Sequence, residues 1–166
     1  MKKLVCALVL ISMCLTALSG CGLTVPSPEI KEGAFSYSVT YEIDGSASTV
    51  SGVYICKYNG TDWALDGGYH RAWIGYCEDG CDGVIEIGTL DDGGAIRLNL
   101  GLFPEYFMGD SYIDEPKPWL SVCHLNDEGN VGSIVHDEDT LANEFSVKLI
   151  GYEYDDPIVN SFGLFK

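Results

Sequence analysis

The sequence is short of positive charge. Its 166 residues include nine lysines and arginines against 25 aspartates and glutamates, and the formal net charge is −16. Nucleic acids and anionic lipid head groups are bound through positive surfaces, so this balance argues against both as partners. An excess of acid suits a domain that must stay soluble outside the cell.

The chain also lacks the motifs of the common enzyme classes. It has no G-x-S-x-G, S-x-x-K, H-E-x-x-H or P-loop sequence, and only three histidines. Cys123 and His124 cannot form a dyad, because adjacent residues of a strand point to opposite faces. His70 with nearby acids is the one acid–base centre that the sequence offers, and a binding protein is favoured over an enzyme.

One long apolar run is present, and it lies at the start of the chain. Lys2 and Lys3 precede the run Leu4–Leu18. This run has about the length of the apolar segment of a signal peptide and is shorter than the roughly 20 residues that span a bilayer. An aliphatic residue, two small residues and a cysteine follow as Leu18-Ser19-Gly20-Cys21.

This N-terminal segment resembles the lipobox signal of bacterial prolipoproteins. The resemblance implies that the Cys21 thiol receives a diacylglyceryl group and that cleavage makes Cys21 the mature N-terminus. The acyl chains would then hold the protein at the cell membrane or the outer membrane, facing outside the cytoplasm. Gly22, a residue other than aspartate, would favour the outer membrane if the envelope has one. Without Lys2 and Lys3, 7 basic and 25 acidic residues remain, for a net charge of −18.

The predicted organisation is a signal peptide at 1–20, the lipidated cysteine with a flexible tether at 21–33, and a single β domain at 34–166. The mature length suits one domain. Two segments, "LDGGYHRAW" and "YEYDDPIVNSFG", are similar to small lipoproteins of gut anaerobes. Those proteins have no known activity, so the similarity implies no site residue.

The domain has the residue pattern of antiparallel strands. Apolar and polar residues alternate from Phe35 to Ile43, and Asp44-Gly45, Asn59-Gly60 and Asp92-Gly93 are two-residue hairpin signals. The predicted pairs are Val39 with Val50 and Phe35 with Tyr54 at the first turn, Cys56 with Trp63 and Tyr54 with Leu65 at the second, and Ile87 with Leu98 and Ile85 with Leu100 at the third.

The remaining chain predicts four more strands and one helix. The strands are Tyr69–Tyr76, Trp119–Leu125, Val131–Val135 and Ser146–Tyr154. The helix spans Asp137–Glu144, with Asp137 or Asp139 as its N-cap and Leu141 facing inward. Short strands at regular spacing favour an all-β antiparallel sandwich, with a small up-and-down barrel as the alternative.

Four cysteines remain after the anchor, namely Cys56, Cys77, Cys81 and Cys123. An exported chain can join them as two disulfides, and we favour Cys56 with Cys123 and Cys77 with Cys81. Buried free thiols are the alternative. A zinc site would need four ligands and would have to draw on His70, His124 or the distant cysteines.

Acidic residues gather in the turns, as in "EDGCDG". Calcium prefers several oxygen ligands from such loops, but the spacing of an EF-hand is missing. Aspartate and glycine also favour turns for backbone reasons alone. No cofactor is therefore expected, and calcium is the alternative.

Aromatic residues are the strongest candidates for recognition. Exposed aromatic rings on a β-sandwich stack on sugar rings or anchor a protein partner. The segment 103–119 contains three prolines and little alternation, which predicts a long loop. The candidate recognition surface is Tyr69, His70, Arg71, Trp73, Tyr106, Tyr112 and Trp119.

The sequence thus predicts a membrane-anchored, non-catalytic binding module for a protein or a glycan. One alternative is an envelope enzyme or enzyme inhibitor that uses His70 and nearby acids. The other is a structural spacer of the envelope with no small ligand.

Overall fold

The computed structural model describes residues 25–63, 68–91, 93–111, 115–126 and 131–163. These residues form eight strands and two short helices. In chain order the elements are β1 (Glu32–Ile43), β2 (Ser46–Trp63), β3 (Tyr69–Cys77), β4 (Val84–Thr89), β5 (Ala95–Asn99), α1 (Pro104–Phe107), β6 (Trp119–Leu125), β7 (Val131–Val135), α2 (Glu138–Glu144) and β8 (Val147–Tyr154).

The strands form two four-stranded antiparallel sheets. The first has the order β3-β2-β1-β8 and the second the order β4-β5-β6-β7. The chain is therefore mostly β, as predicted, and its strands fall in two sheets rather than in one closed barrel. The core lies between the sheets, where Val39 of the first sheet and Leu98 and Val122 of the second are fully buried.

The first predicted hairpin is confirmed. Phe35 pairs with Tyr54 and Val39 pairs with Val50. Both turn residues have positive φ, 51° at Asp44 and 78° at Gly45. Two consecutive left-handed residues match the twist of the flanking strands, which is why Asp-Gly is favoured in such turns.

The second predicted turn is wrong. Strand β2 continues through Asn59-Gly60 to Trp63, and its pairing with β3 shifts between Tyr58 and Thr61. Gly60 has a φ of 91°, so the glycine serves an irregularity within the strand and not a reversal of the chain. The partners of Tyr54, Cys56 and Trp63 are consequently Cys77, Gly75 and Tyr69. Leu65 lies outside the described residues.

The third turn has the predicted place but a different register. The amide of Leu90 donates to the carbonyl of Gly94 at 2.8 Å, so the connection is longer than two residues. Ile85 pairs with Leu98, and the register shifts between Glu86 and Gly88. The predicted pairs of Ile87 with Leu98 and of Ile85 with Leu100 are therefore wrong, because the longer turn shifts the register by one residue and the irregularity shifts it by one more.

The other strand predictions and the helix agree closely with the structure. Strands β6 and β7 have the predicted bounds, while β3 and β8 differ from prediction by one residue. Helix α2 follows Asp137, whose side chain accepts a hydrogen bond from the amide of Thr140. Leu141 points inward as predicted and is 2% exposed.

The segment predicted as a long loop contains helix α1 and two core residues. Phe107 and Met108 are fully buried. The Phe107 ring lies 4.9 Å from the Phe35 ring and 5.7 Å from the Tyr54 ring, measured between centroids. Part of the segment thus packs into one end of the core, and the prediction of a long loop is wrong for that part.

At this end of the core, tyrosine hydroxyls connect the first sheet to the segment that follows β5. Tyr54 donates to the carbonyl of Leu102 at 3.4 Å, and Tyr154 donates to the carbonyl of Leu100 at 2.5 Å. The Tyr54 ring also lies over Gly75 of the neighbouring strand, where a Cβ atom would collide with it. Glycine at this position therefore makes room for the tyrosine that bonds to the segment after β5.

Candidate functional site

Arg71, Trp73 and Asp110 form a hydrogen-bonded cluster between β3 and the segment after α1. The Arg71 Nε and Nη2 atoms donate to the two Asp110 carboxylate oxygens at 2.7 and 2.5 Å. The Trp73 Nε1 atom donates to Asp110 Oδ2 at 2.8 Å. The side chains of Arg71 and Asp110 are only 18% and 10% exposed. Because the Arg71–Asp110 ion pair is poorly hydrated, it serves to hold two segments of the chain together. It exposes little surface to which a ligand could bind.

The same arginine connects both ends of the described chain. Its Nη1 atom donates to the carbonyl of Pro26 at 3.3 Å, and its guanidinium carbon lies 4.0 Å from the centre of the Phe162 ring. Asn160 strengthens the junction, because its amide group accepts from Ile30 N and donates to Ile30 O. We call this region, Val25–Lys31 with Arg71, Asp110 and Asn160–Phe162, the arm end.

The structure does not bring the predicted recognition residues into one exposed surface. Trp73 is 8% exposed and belongs to the core, while Tyr106 is half-buried against Phe107. Tyr69 and His70 are exposed at the end of the β2–β3 hairpin. Tyr112 lies outside the described residues.

Trp63 is an exposed aromatic residue that the sequence interpretation missed. It is 54% exposed, and its ring packs edge-on against Tyr69, which is 50% exposed, at 5.0 Å between centroids. The wrong turn at Asn59-Gly60 pairs Trp63 with Cys56, which is buried. An unbroken strand carries it instead beyond the edge of the core.

A groove of about 470 Å³ lies between the start of β6, helix α2 and the start of β8. Trp119, a predicted recognition residue, lines this groove and is 41% exposed. Four of its eleven lining residues are ionisable, which gives it both charged and apolar surface. The lining residues are Pro118, Trp119, Leu120, His136, Glu138, Asp139, Leu141, Ala142, Val147, Lys148 and Leu149.

The start of helix α2 positions the acidic side of the groove. Asp137 accepts hydrogen bonds from the Thr140 hydroxyl at 2.7 Å and from the Thr140 amide at 2.8 Å. These bonds, the hydroxyl first, hold the pKa of Asp137 below its ordinary value. The cap places Glu138 and Asp139 in the first turn, where carboxylates interact favourably with the helix dipole. Buried Leu141 and Val147 form the apolar side.

The cysteines are divided between one disulfide and two buried thiols. Cys77 and Cys81 are bonded across a turn, with their Cα atoms 5.2 Å apart. Cys56 and Cys123 are buried and unbonded, so the pairing predicted for them does not form. They belong to β2 and β6, which lie in different sheets. Burial raises the pKa of the Cys56 thiol to about 12.

The residues around the disulfide were also the sequence's candidate for a metal site. The ligand atoms of Cys77, Asp79 and Cys81 lie within 4.8 Å of one another. Disulfide sulfurs are not thiolates, and a structural zinc site needs four ligands. Asp79 instead accepts a hydrogen bond from the Cys81 amide at 3.1 Å, as expected for a turn residue.

No family model matches the chain, and neither does a curated protein or a solved structure at a significant level. Within the described part of the chain, neither helix combines the length and the apolar character that crossing a membrane requires.

Proposed function

We propose that this chain is a membrane-anchored extracytoplasmic lipoprotein whose β domain binds a ligand without transforming it. The anchor is inferred from the signal-like segment that ends at Cys21, which lies outside the described residues. The groove beside α2 is the proposed ligand site. Its volume falls within the roughly 300–1,000 Å³ of typical ligand pockets.

A glycan is the ligand class that the groove favours. The observation that carries this proposal is the exposed Trp119 in the same groove as Glu138 and Asp139. A sugar ring has an apolar face of C–H groups that packs on an indole, and hydroxyl groups that donate to carboxylates. His136 and Lys148 add donors for the sugar oxygens.

A peptide from a partner protein is the alternative ligand, because aromatic residues also anchor protein partners. The enzyme hypothesis is weaker. His70 lies on β3 and the groove lies beside β8, at opposite edges of the first sheet. Asp62 is the acid that pairs with His70 across the β2–β3 hairpin, but both residues are exposed, whereas active sites are concave.

Binding of the full chain to a panel of envelope and host polysaccharides tests the ligand. We expect Trp119→Ala to weaken binding at least tenfold and Glu138→Gln to weaken it less. His70→Ala is the matched control and should leave binding unchanged. If no polysaccharide binds, or if Trp119→Ala binds as well as the parent, the glycan proposal is wrong. Turnover of a bound polysaccharide would contradict the non-catalytic role.

Labelling with radioactive palmitate in the producing cells tests the anchor. The parent chain should incorporate label and sediment with membranes, while Cys21→Ser should do neither. A parent chain released without label would overturn the lipoprotein assignment.

A further inference from the structure

Two of the most exposed aromatic side chains of the described residues, Trp63 and Tyr69, lie side by side. They are directly paired across the β2–β3 hairpin, and each has at least half of its surface exposed. Together they present a broad apolar surface with an indole N–H and a phenol O–H at its edge. Such amphipathic rings concentrate at the boundary between membrane and water.

The same hairpin contacts the beginning of the described chain. Arg71 is two residues from Tyr69, so both side chains lie on one face of β3, about 7 Å apart along the strand. Arg71 holds the carbonyl of Pro26. Cys21 precedes Pro26 by five residues, which span at most about 18 Å. The length of this segment therefore limits the distance that a lipid anchor at Cys21 could have from Pro26.

We propose that Trp63 and Tyr69 insert into the head-group region of the membrane that holds Cys21. The inference rests on the proposed lipid anchor. Two rings alone would bind a membrane weakly, but a short tether keeps their effective concentration at the surface high. The strongly acidic chain would be repelled by anionic lipid. Contact through aromatic rings needs no opposite charge and therefore suits a neutral lipid surface.

This contact also determines which way the groove faces. Strand β1 begins at Glu32, next to the arm end, and reaches Glu42 ten residues later, roughly 33 Å along an extended strand. Glu42 pairs with Lys148, which lines the groove. With the aromatic pair at the membrane, β1 leads away from the surface and the groove lies on the distal side, where large glycans have access.

Quenching of tryptophan fluorescence by brominated lipid measures this orientation. The lipidated full chain is incorporated into phosphatidylcholine vesicles brominated near the head group. The chain has three tryptophans. Trp73 is buried, so Trp63 and Trp119 report on the two ends. We expect Trp63→Phe to lose more than half of the lipid-dependent quenching and Trp119→Phe to keep it.

Three outcomes would overturn the inference. Equal quenching in the parent and in Trp63→Phe would mean that Trp63 does not touch lipid. Loss of quenching in Trp119→Phe would put the groove end at the membrane. Protection of Trp63 from acrylamide without quenching by lipid would assign the aromatic pair to contact with a second copy of the chain.

Flotation of the same vesicles separates this inference from the proposed anchor. If the parent chain fails to float with the vesicles, the anchor itself is refuted. If the parent floats but Trp63 is not quenched, the anchor stands and only the aromatic contact is refuted. Far-ultraviolet circular dichroism of Trp63→Phe checks that its fold is intact.

Discussion

The first sheet has a largely buried ion pair near one end and a more exposed ion pair near the other. At the arm end, Arg71 and Asp110 are largely buried and joined through two hydrogen bonds. At the groove end, Lys148 and Glu42 pair at 3.5 Å with side chains that are 53% and 26% exposed. Poor hydration makes the first pair costly to break, and good hydration leaves the second nearly neutral for folding. The Arg71–Asp110 pair thus holds two segments of the chain together, whereas the pair of Lys148 with Glu42 lies at the groove.

The sharpest test of this comparison removes one acid from each end. We expect Asp110→Ala to lower the free energy of unfolding by about 3 kcal/mol, because Arg71 is left poorly hydrated and without its carboxylate partner. Glu42→Ala should cost less than about 1 kcal/mol. Urea unfolding of the domain measures both. Similar losses at the two sites would refute the distinction between the ends.

Two glycines provide the next test. A Cβ atom at Gly75 would collide with the Tyr54 side chain, whereas nothing lies within 4 Å of such an atom at Gly151. We expect Gly75→Ala to cost about 2 kcal/mol through overpacking. Gly151→Ala should change stability by less than about 0.5 kcal/mol. Comparable unfolding midpoints for the two variants would show that the Tyr54 ring moves without cost.

Two tyrosines should differ by a smaller amount. Tyr154→Phe removes the hydrogen bond to Leu100 O and should cost about 1 kcal/mol. The buried Tyr37 hydroxyl has no hydrogen-bond partner among the described residues, so Tyr37→Phe should be neutral or stabilising. Thermal melts at neutral pH distinguish these results. A destabilised Tyr37→Phe would indicate that the hydroxyl has a partner after all.

The last prediction concerns Cys56, whose ionisation leaves the stability at neutral pH unchanged and lowers it only at alkaline pH. Burial raises its pKa from an ordinary 9.0 to about 12. A raised pKa of an acid means that the folded state keeps the proton, so the associated stability is present below pH 9 and is lost as pH rises towards 12. The free energy of unfolding should therefore fall over this interval, and fall less in Cys56→Ala. Burial also raises the pKa values of Tyr54 and Tyr154. The free energy of unfolding of Cys56→Ala should therefore still fall somewhat as the pH rises.

Local sequence patterns predicted the strands and α2 well, because alternation and capping act over a few residues. The same kind of reasoning failed at Asn59-Gly60. A glycine with positive φ serves a strand irregularity as readily as a turn, and the choice depends on pairing with β3. Helix α1 had a local signal that was overlooked, namely Pro104 at its start and Gly109 just beyond its end.

The candidate site was only partly predictable. Trp119 was identified from its type, but the groove joins β6, α2 and β8, which no motif connects. Trp73 is buried, and its indole N–H donates to Asp110, 37 residues away along the chain. Whether an aromatic residue recognises a ligand or fills a core is decided by such distant partners, which spacing does not reveal.

The position of β1 has a mechanical consequence. This strand is paired on both sides, with β2 over its whole length and with β8 from Tyr37 to Ile43. A pull between a lipid at Cys21 and a ligand in the groove would run along β1. The ladder hydrogen bonds lie across that direction and would resist as a group. The hydrogen bonds of Pro26 with Arg71 and of Ile30 with Asn160 would bear the force first and would break before the strand pairs of β1 are loaded.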